Sequence, residues 1–510
     1  MLKPFYQITR TALLLFFLLL FVVPTTAQID PLTDLNAYVE KALRDWKVPG
    51  LAIGIVKYDS LIFAKGYGVR EIGKEAKVDE QTLFAVASNT KAFTAALLGM
   101  LVDEGKLDWD DRVTDYLREF QMYDPYVTRD ISIRDLLTHR SGLPTFGGDH
   151  LWIGNSLSRD EIIARIRHLK PNAQFRTKFQ YQNLMFLVAG QIIPEITGMS
   201  WDVTIKERIF TPLGMVESNT SIRDLKNKEN VATPHEIVRG KLIPVEYENV
   251  DNTAPAGAIN SNIVEMAWWM RLNLNGGVYN GEQILSEKVM RVMHAIQIPI
   301  TISPDREKML GTHFLGYGLG WRISDYKGHK IISHGGGLSG MISLQTMIPG
   351  ENLGVIILTN FAPHSLTRAL TYRIIDAFLG ELERDWSVEY LERRKEEREK
   401  KEKAEKELQA GRVKRTKPAL KLIEYTGKYF DDLSGEAEVR LEKGKLVFDY
   451  NPRHTGNLEH WHYNTFRVTW RNPIYDMPEK AFLTFYLNEE GEVAELKVTF
   501  YDPIYFKRIQ

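Results

Sequence analysis

The sequence predicts an α+β domain followed by a smaller all-β domain. Three observations carry that reading. Apolar, β-prone runs open the first part ("GLAIGIVKYDSLIFAKGYG" from Gly50) and return at its far end ("GLGWRIS", "KIISHGGG", "SLQTMIP", "NLGVIILTN"). Residues 107–240 between them are mostly helical or loop-like, with Pro and Gly punctuation. From Pro418 onward the pattern is short alternating strands separated by turn residues. Strands at both ends with helices between them fit one antiparallel sheet closed by the two ends of the chain, flanked by helices and carrying a helical lobe.

Taken in order, the first segment reads as an export signal. Lys3 and Arg10 precede an unbroken apolar run from Ala12 to Val23, and "PTTAQ" supplies small residues for cleavage after Ala27. The run is short for a bilayer span. Segment 1–27 is therefore expected to be removed, with membrane contact only if it is not cleaved, and the location is secreted or periplasmic. Asp34 to Trp46 reads as an amphipathic helix, and Gly50 to Gly68 as a hairpin turning at Tyr58 to Ser60. A helix starts near Ser88 and runs to Gly105. "SLTRALTYRIIDAFLG" is a further helix closing the domain 28–382.

Glu392 to Glu407 holds eight Lys or Arg, seven Glu and one Ala. Mixed charge at i,i+4 spacing, as in Glu396–Lys400 and Glu402–Lys406, predicts a solvated helical linker over 383–417 and not a nucleic-acid patch. In domain 418–510, Lys443-Gly444 and Glu490-Gly491 read as hairpin turns.

Composition bounds the chemistry. With 44% hydrophobic and 26% charged residues over 510 positions, the chain is an ordinary globular one with ample core. A formal net charge of −1 calls for no nucleic acid. There is no cysteine, so no disulfide, thiolate or lipid attachment through sulfur. No H-E-x-x-H or cysteine cluster implies a metal, and no cofactor is expected.

The reactive candidates begin with "SNTK". Ser88 and Lys91, at i and i+3, share one face at the head of an apolar helix. A lysine buried there would have its pKa pushed down toward the useful range. Ser88 as a plain helix N-cap is the bland alternative. "SDYK" (Ser324 to Lys327) has the same spacing but reads as a hairpin turn with both side chains toward water. "YQN" (Tyr181 to Asn183) offers a phenol and an amide just before an apolar helix. "YEN" at Tyr247 and "YLN" at Tyr486 lack that context. "HGGG" (His334 to Gly337) leaves the strand "KIIS", and its glycines let a substrate approach backbone N–H groups. "HTG" at His454 is a decoy in the tail, His139 reads as structural, and the glycines of "GYGLGW" lie in a strand-like segment with no helix behind them. An α/β-hydrolase reading of "HGGG" fails because no G-x-S-x-G follows.

"SNTK", "LLTHRSGLP" (Leu136 to Pro144), "YQN", "PAGAINSNIVEMAWWM" (Pro255 to Met270) and "SHGGGLSG" together resemble, in order and spacing, the serine β-lactamase and penicillin-binding protein family. The likeness covers about residues 30 to 380. It is strongest to the branch of class C β-lactamases, D-aminopeptidases, D-Ala-D-Ala carboxypeptidases and esterases. The resemblance implies a β-lactamase/transpeptidase-like fold and a serine hydrolase that cleaves an amide or ester through a Ser88 acyl-enzyme. Lys91 and Tyr181 would relay protons, and Asn183 would bind the acyl side-chain amide. His334 would sit where the third motif carries Lys or His, and Gly336 and Gly337 would line the substrate, with the Ser88 and Gly337 N–H groups as oxyanion hole. Gly142 and Gly257 look structural. Expected substrates are small molecules or peptides with a D-amino acid, β-lactams or small esters, peptidoglycan fragments among them. The tail resembles the small lipocalin-like β-barrel some members carry. "HGG" departs from the K-T-G pattern, which argues against a tuned β-lactamase or a strict carboxypeptidase. The alternative from another class is a non-catalytic penicillin-binding or sensor module.

Overall fold

The computed structural model describes residues 30–472, 474, 482–500 and 503–509. The expected signal segment 1–27 lies outside the described residues.

Helix α1 (Leu35–Trp46) precedes the hairpin of β1 (Gly50–Lys57) and β2 (Ser60–Gly68). Its turn residues Tyr58 and Asp59 both take positive φ, as a two-residue hairpin requires. The chain then leaves the sheet for a helical region. It contains α2 (Thr90–Asp103), α3 (Asn183–Thr197) and α4 (Ile263–Leu274). It returns through β3 (Ile298–Pro299), β4 (Leu315–Tyr317), β5 (Arg322–Tyr326), β6 (His329–Leu338), β7 (Met341–Ile348) and β8 (Leu353–Thr359). Helix α5 (Leu366–Leu379) closes this part.

The sheet is antiparallel, in the order β2-β1-β8-β7-β6-β5-β4-β3. The N-terminal hairpin thus pairs with the last strand, Ile53 opposite Ile357 and Ile55 opposite Val355. Both central strands are apolar at nearly every position because both faces are covered. Ile53, Ile55, Val355 and Ile357 pack against α1 and α5. Ala52, Val56, Ile356 and Leu358 face α4 and the helical lobe.

Helix α6 (Trp386–Ala410) leads to the second domain. Trp386 is buried beside Tyr372 and donates its indole N–H to Asp376, so this end of the helix is docked. Further along, the i,i+4 pairs formed are Arg398–Glu402 and Lys403–Glu407. The tail is a closed antiparallel barrel of eight strands, β9 (Gly427–Asp431), β10 (Gly435–Glu442), β11 (Lys445–Asp449), β12 (Thr455–His462), β13 (Thr465–Trp470), β14 (Phe482–Leu487), β15 (Val493–Thr499) and β16 (Pro503–Arg508). Tyr429 opposite Arg508 closes it, and both expected hairpin turns occur, with positive φ at Lys443, Gly444 and Gly491.

Candidate active site

Helix α2 is buried on nearly every side from Thr90 to Leu101. Phe93 stacks on Trp269 of α4 at 3.9 Å, and Thr94 Oγ1 donates to the Pro255 carbonyl at 2.7 Å. Lys91, in the first turn, is therefore fully buried. Ser88 lies just before α2 in a 3₁₀ turn, Ala87–Asn89. No side-chain cap bond forms at either the turn or the helix start, which removes the N-cap explanation of the serine. Ala87 takes φ +48°, a costly conformation for a residue with a side chain. Anchors hold the turn in that shape: Asn89 Nδ2 donates to Ser343 Oγ at 2.6 Å, and Ser343 Oγ donates to the Val86 carbonyl at 2.7 Å.

Lys91 Nζ sits 3.1 Å from Ser88 Oγ and donates to Asn183 Oδ1 at 2.7 Å and to the Ala256 carbonyl at 2.8 Å. The Tyr181 ring lies 4.8 Å from the same nitrogen. Burial pulls the Lys91 pKa down to about 7, against the opposing pull of Asp149. Tyr181 shares a side-chain hydrogen bond with Ser88, and burial raises its phenol pKa. It is a neutral hydroxyl in the working range.

"YQN" sits where a loop meets α3. Gln182 caps the helix by accepting from the Leu184 N–H at 3.0 Å, and its Nε2 ties the Pro144 and Gly147 carbonyls. His139 accepts the Gln182 N–H on Nδ1 at 3.0 Å, and its ring lies against Tyr181 at 4.2 Å. That is the structural role read for His139. Gly142, at φ +88°, leaves its Cβ position only 2.7 Å from the Ala173 carbonyl oxygen.

Strand β6 forms the other wall. A Cβ on Gly336 would lie 2.1 Å from the Val86 carbonyl oxygen, so only glycine lets the strand pass this close to the Ser88 turn. Gly337, one residue on, pairs with Ile342. Ser88, Lys91, Tyr181, Asn183, His334, Gly336 and Gly337 are thus gathered at one place.

Two side chains have surroundings that bear on their expected roles. Asn183 has protein partners at both ends of its amide: Oδ1 accepts from Lys91 and Nδ2 donates to Asp149 Oδ2 at 2.8 Å. It bridges Lys91 to the buried Asp149. His334 carries no positive charge. It is 5% exposed, and burial holds its pKa at about 3.

The decoys disperse. Tyr247 donates to the Ala232 carbonyl, Tyr486 is exposed on the barrel, and His454 is buried in the barrel end. Ser324 and Lys327 do not point to water as expected: Ser324 is 5% exposed and Lys327 pairs with Asp376 at 2.8 Å. Among the described residues no group of three or more His, Asp or Glu could hold a metal ion.

Sequence reasoning missed Asp149, Tyr317 and Ala87. An acid within "FGGDHLWIG" has the setting of a buried carboxylate, but nothing local ties it to residue 183.

A family model described as Beta-lactamase matches residues 35–378, and one described as a domain of unknown function (DUF3471) matches residues 411–508. Among curated proteins, unguisins hydrolase ungD' of Aspergillus campestris is 31% identical over 367 residues, covering 68% of this chain. The chain spans only 65% of that relative's length. Penicillin-binding protein 4 of Amycolatopsis lactamdurans is 28% identical over 61% of this chain and 81% of its own. Among solved structures, the octameric penicillin-binding protein homologue from Pyrococcus abyssi superposes with a TM-score of 0.62 at 21% identity, over 93% of this chain and 99% of that one. D-amino acid amidase from Ochrobactrum anthropi SV3 gives 0.58 at 21% identity, over 68% and 99%. These two share the fold.

Proposed function

The chain belongs to the beta-lactamase family, and from that premise we propose that it is a serine hydrolase acting on amides or esters through a Ser88 acyl-enzyme. The observation that carries the reading is Lys91 Nζ, buried and 3.1 Å from Ser88 Oγ. A lysine poised near neutrality is a competent general base.

The steps follow from that geometry. Lys91 takes the Ser88 hydroxyl proton as Oγ bonds to the substrate carbonyl carbon. The family resemblance assigns the resulting oxyanion to the Ser88 and Gly337 N–H groups. Collapse breaks the C–N or C–O bond, and the proton returns to the leaving group through Lys91 and the Tyr181 hydroxyl. Water then attacks the ester carbonyl, giving its proton to the same pair, and Ser88 leaves with one.

The neutral His334 gives no cation to pair with a substrate carboxylate at that position. This favours amides and esters lacking that carboxylate over carboxypeptidase substrates. Cleavage of an amide or ester fits the names of a curated relative, an unguisins hydrolase, and of a fold neighbour, a D-amino acid amidase. We assign Gly337 to the substrate-facing surface, with Gly336 packed on the Val86 carbonyl and Asn183 bridging Lys91 to Asp149. The N-terminal pattern supports action in a secreted or periplasmic setting.

Intact-mass measurement after incubation with a fluorophosphonate tests the reading. One adduct on the wild type and none on Ser88→Ala is expected. No adduct on folded wild type with any acylating probe would overturn it in favour of a non-catalytic binding module. A panel of a chromogenic β-lactam, D-amino-acid amides and short p-nitrophenyl esters then ranks the acyl donors.

A further inference from the structure

Asp149 and His150 are neighbours in a short 3₁₀ turn, Asp149–Leu151, yet their side chains go to different domains. Asp149 is 2% exposed, and its Oδ2 accepts from Asn183 Nδ2, whose Oδ1 accepts from Lys91. A primary amide has one acceptor end and one donor end. With Nδ2 held by a carboxylate, Oδ1 is turned to Lys91. Reversal of the amide would place NH₂ against an ammonium and oxygen against a carboxylate.

His150 enters the end of the barrel. It is 3% exposed, stacks on Phe500 at 5.6 Å and 15°, and its Nε2 lies 3.0 Å from Ser434 Oγ. Burial holds it neutral, with a pKa near 3. The barrel grips the same stretch again at Ile153, whose carbonyl accepts from Asn451 Nδ2 at 3.1 Å. Leu433, from the turn between β9 and β10, joins the core of the first domain. The barrel also reaches the opposite wall of the site. Arg453 Nη1 pairs with Glu248 at 3.2 Å, and Glu248 accepts from Ser339 Oγ at 3.0 Å, two residues past Gly337.

We propose that Asp149 is a positioning residue for Lys91, acting through Asn183 and kept in place by the barrel through His150, so that the barrel is a working part of the active site.

The groups facing this pair decide the direction of its pH effect. Neutral Tyr181 and Phe186 rings lie near Lys91 Nζ. His139 and His334 are within electrostatic reach of Lys91 and are held neutral by burial. Glu248 is the other acid near Asp149. Burial raises the Asp149 carboxyl itself to about 7, so it titrates in the same window as Lys91, and its ionised form favours the lysine ammonium. Removing that charge lets Lys91 lose its proton at lower pH.

The inference rests on Ser88 acylation as read above. The test is the rate of fluorophosphonate labelling of full-length protein across the neutral pH range, with thermal melts as a fold check. Asp149→Asn keeps an acceptor for Asn183 and loses the charge, so the acidic limb should move down by about half a unit or more. Asp149→Ala frees the Asn183 amide and should lower the plateau rate about tenfold or more. His150→Ala and Ser434→Ala should each slow labelling while melting as a folded protein. If Asp149→Ala does not fold, the Asp149→Asn limb decides. Wild-type limb and plateau in both Asp149 variants, with Ser88 still labelled, overturn the positioning role. Wild-type rates in both His150→Ala and Ser434→Ala overturn the barrel's part in it. A wild type that never labels removes the premise, and the inference falls with it.

Discussion

Tyr317 donates its hydroxyl to His334 Nε2 across 2.8 Å. The direction follows from the other ring nitrogen: Nδ1 lies 2.8 Å from the Gly335 carbonyl and must carry the hydrogen. Both nitrogens are engaged, the ring is buried, and the imidazole is neutral down to a pH of about 3. His139 and His150 are likewise held neutral by burial. The histidines that would ordinarily dominate titration near neutrality are silent around this site.

The acid limb of the reaction therefore belongs to the coupled pair of Lys91 and Asp149, whose carboxyl burial raises to about 7. The Lys91 pKa lies below the usual lysine value, at about 7, so the neutral base is scarce below that pH and abundant above it. Acylation of Ser88 is expected to rise with pH through about 7 and then level off. Rates of ester-probe labelling from acid to alkaline buffers check this. A rate already level in mild acid would contradict the assignment of Lys91 as base.

Lys91→Ala removes the base, and Tyr181→Phe keeps the ring beside Lys91 but removes the hydroxyl that meets Ser88. Each is expected to lower the acylation rate by about a hundredfold or more. Tyr181→Phe should retain the wild-type melting profile, because only an oxygen is lost. Pre-steady-state labelling of the two variants separates loss of base from loss of relay, since Tyr181→Phe should keep the pH limb and Lys91→Ala should not.

Local signals made the fold and much of the site legible. Ser88 and Lys91 are one helical turn apart, and "YQN" abuts the helix it caps. The sheet strands were readable because β1 and β8 are apolar on both faces. What was not legible depends on long-range contact. The Asn183–Asp149 bond joins residues 34 apart, and Tyr317 meets His334 from a neighbouring region of the sheet. Burial keeps residue 334 neutral, which no motif encodes. The linker's exposed side chains had several partners at i,i+4 spacing. The pairs formed, Arg398–Glu402 and Lys403–Glu407, are not the ones quoted from sequence, and such surface pairs contribute little.

Gly335 and Gly336 are adjacent but not equivalent. A Cβ on Gly336 would meet backbone, the Val86 carbonyl oxygen at 2.1 Å, and neither strand nor turn can yield without moving Ser88. A Cβ on Gly335 has nothing nearer than 3.6 Å. Gly336→Ala is expected to cut acylation by about tenfold or more through displacement of the turn. Gly335→Ala should label at close to the wild-type rate. Comparable rates for the two would mean the strand does not set the position of the turn.

Asp135 governs stability at a distance from the chemistry. It is fully buried and caps its own helix by accepting the Ser132 N–H at 2.9 Å. Arg140 lies at 2.5 Å and Arg176 at 2.7 Å, and both arginines border the loop that carries His139 and Gly142. Burial alone would raise this carboxyl, but the Arg176 and Ser132 bonds and the Arg140 charge hold it below the usual aspartate value. A carboxyl depressed on folding stabilises above its unfolded pKa, and that contribution is lost as pH falls through the folded value. Asp135→Asn leaves Arg140 without its carboxylate while the part-exposed Arg176 keeps Asp130, so a cost of about 1 to 3 kcal/mol is expected near neutral pH. Urea melts at neutral and acid pH measure it. The gap between variant and wild type should narrow in acid, where the wild-type carboxylate is itself protonated. An equal gap at both pH values would assign the loss to packing instead of charge.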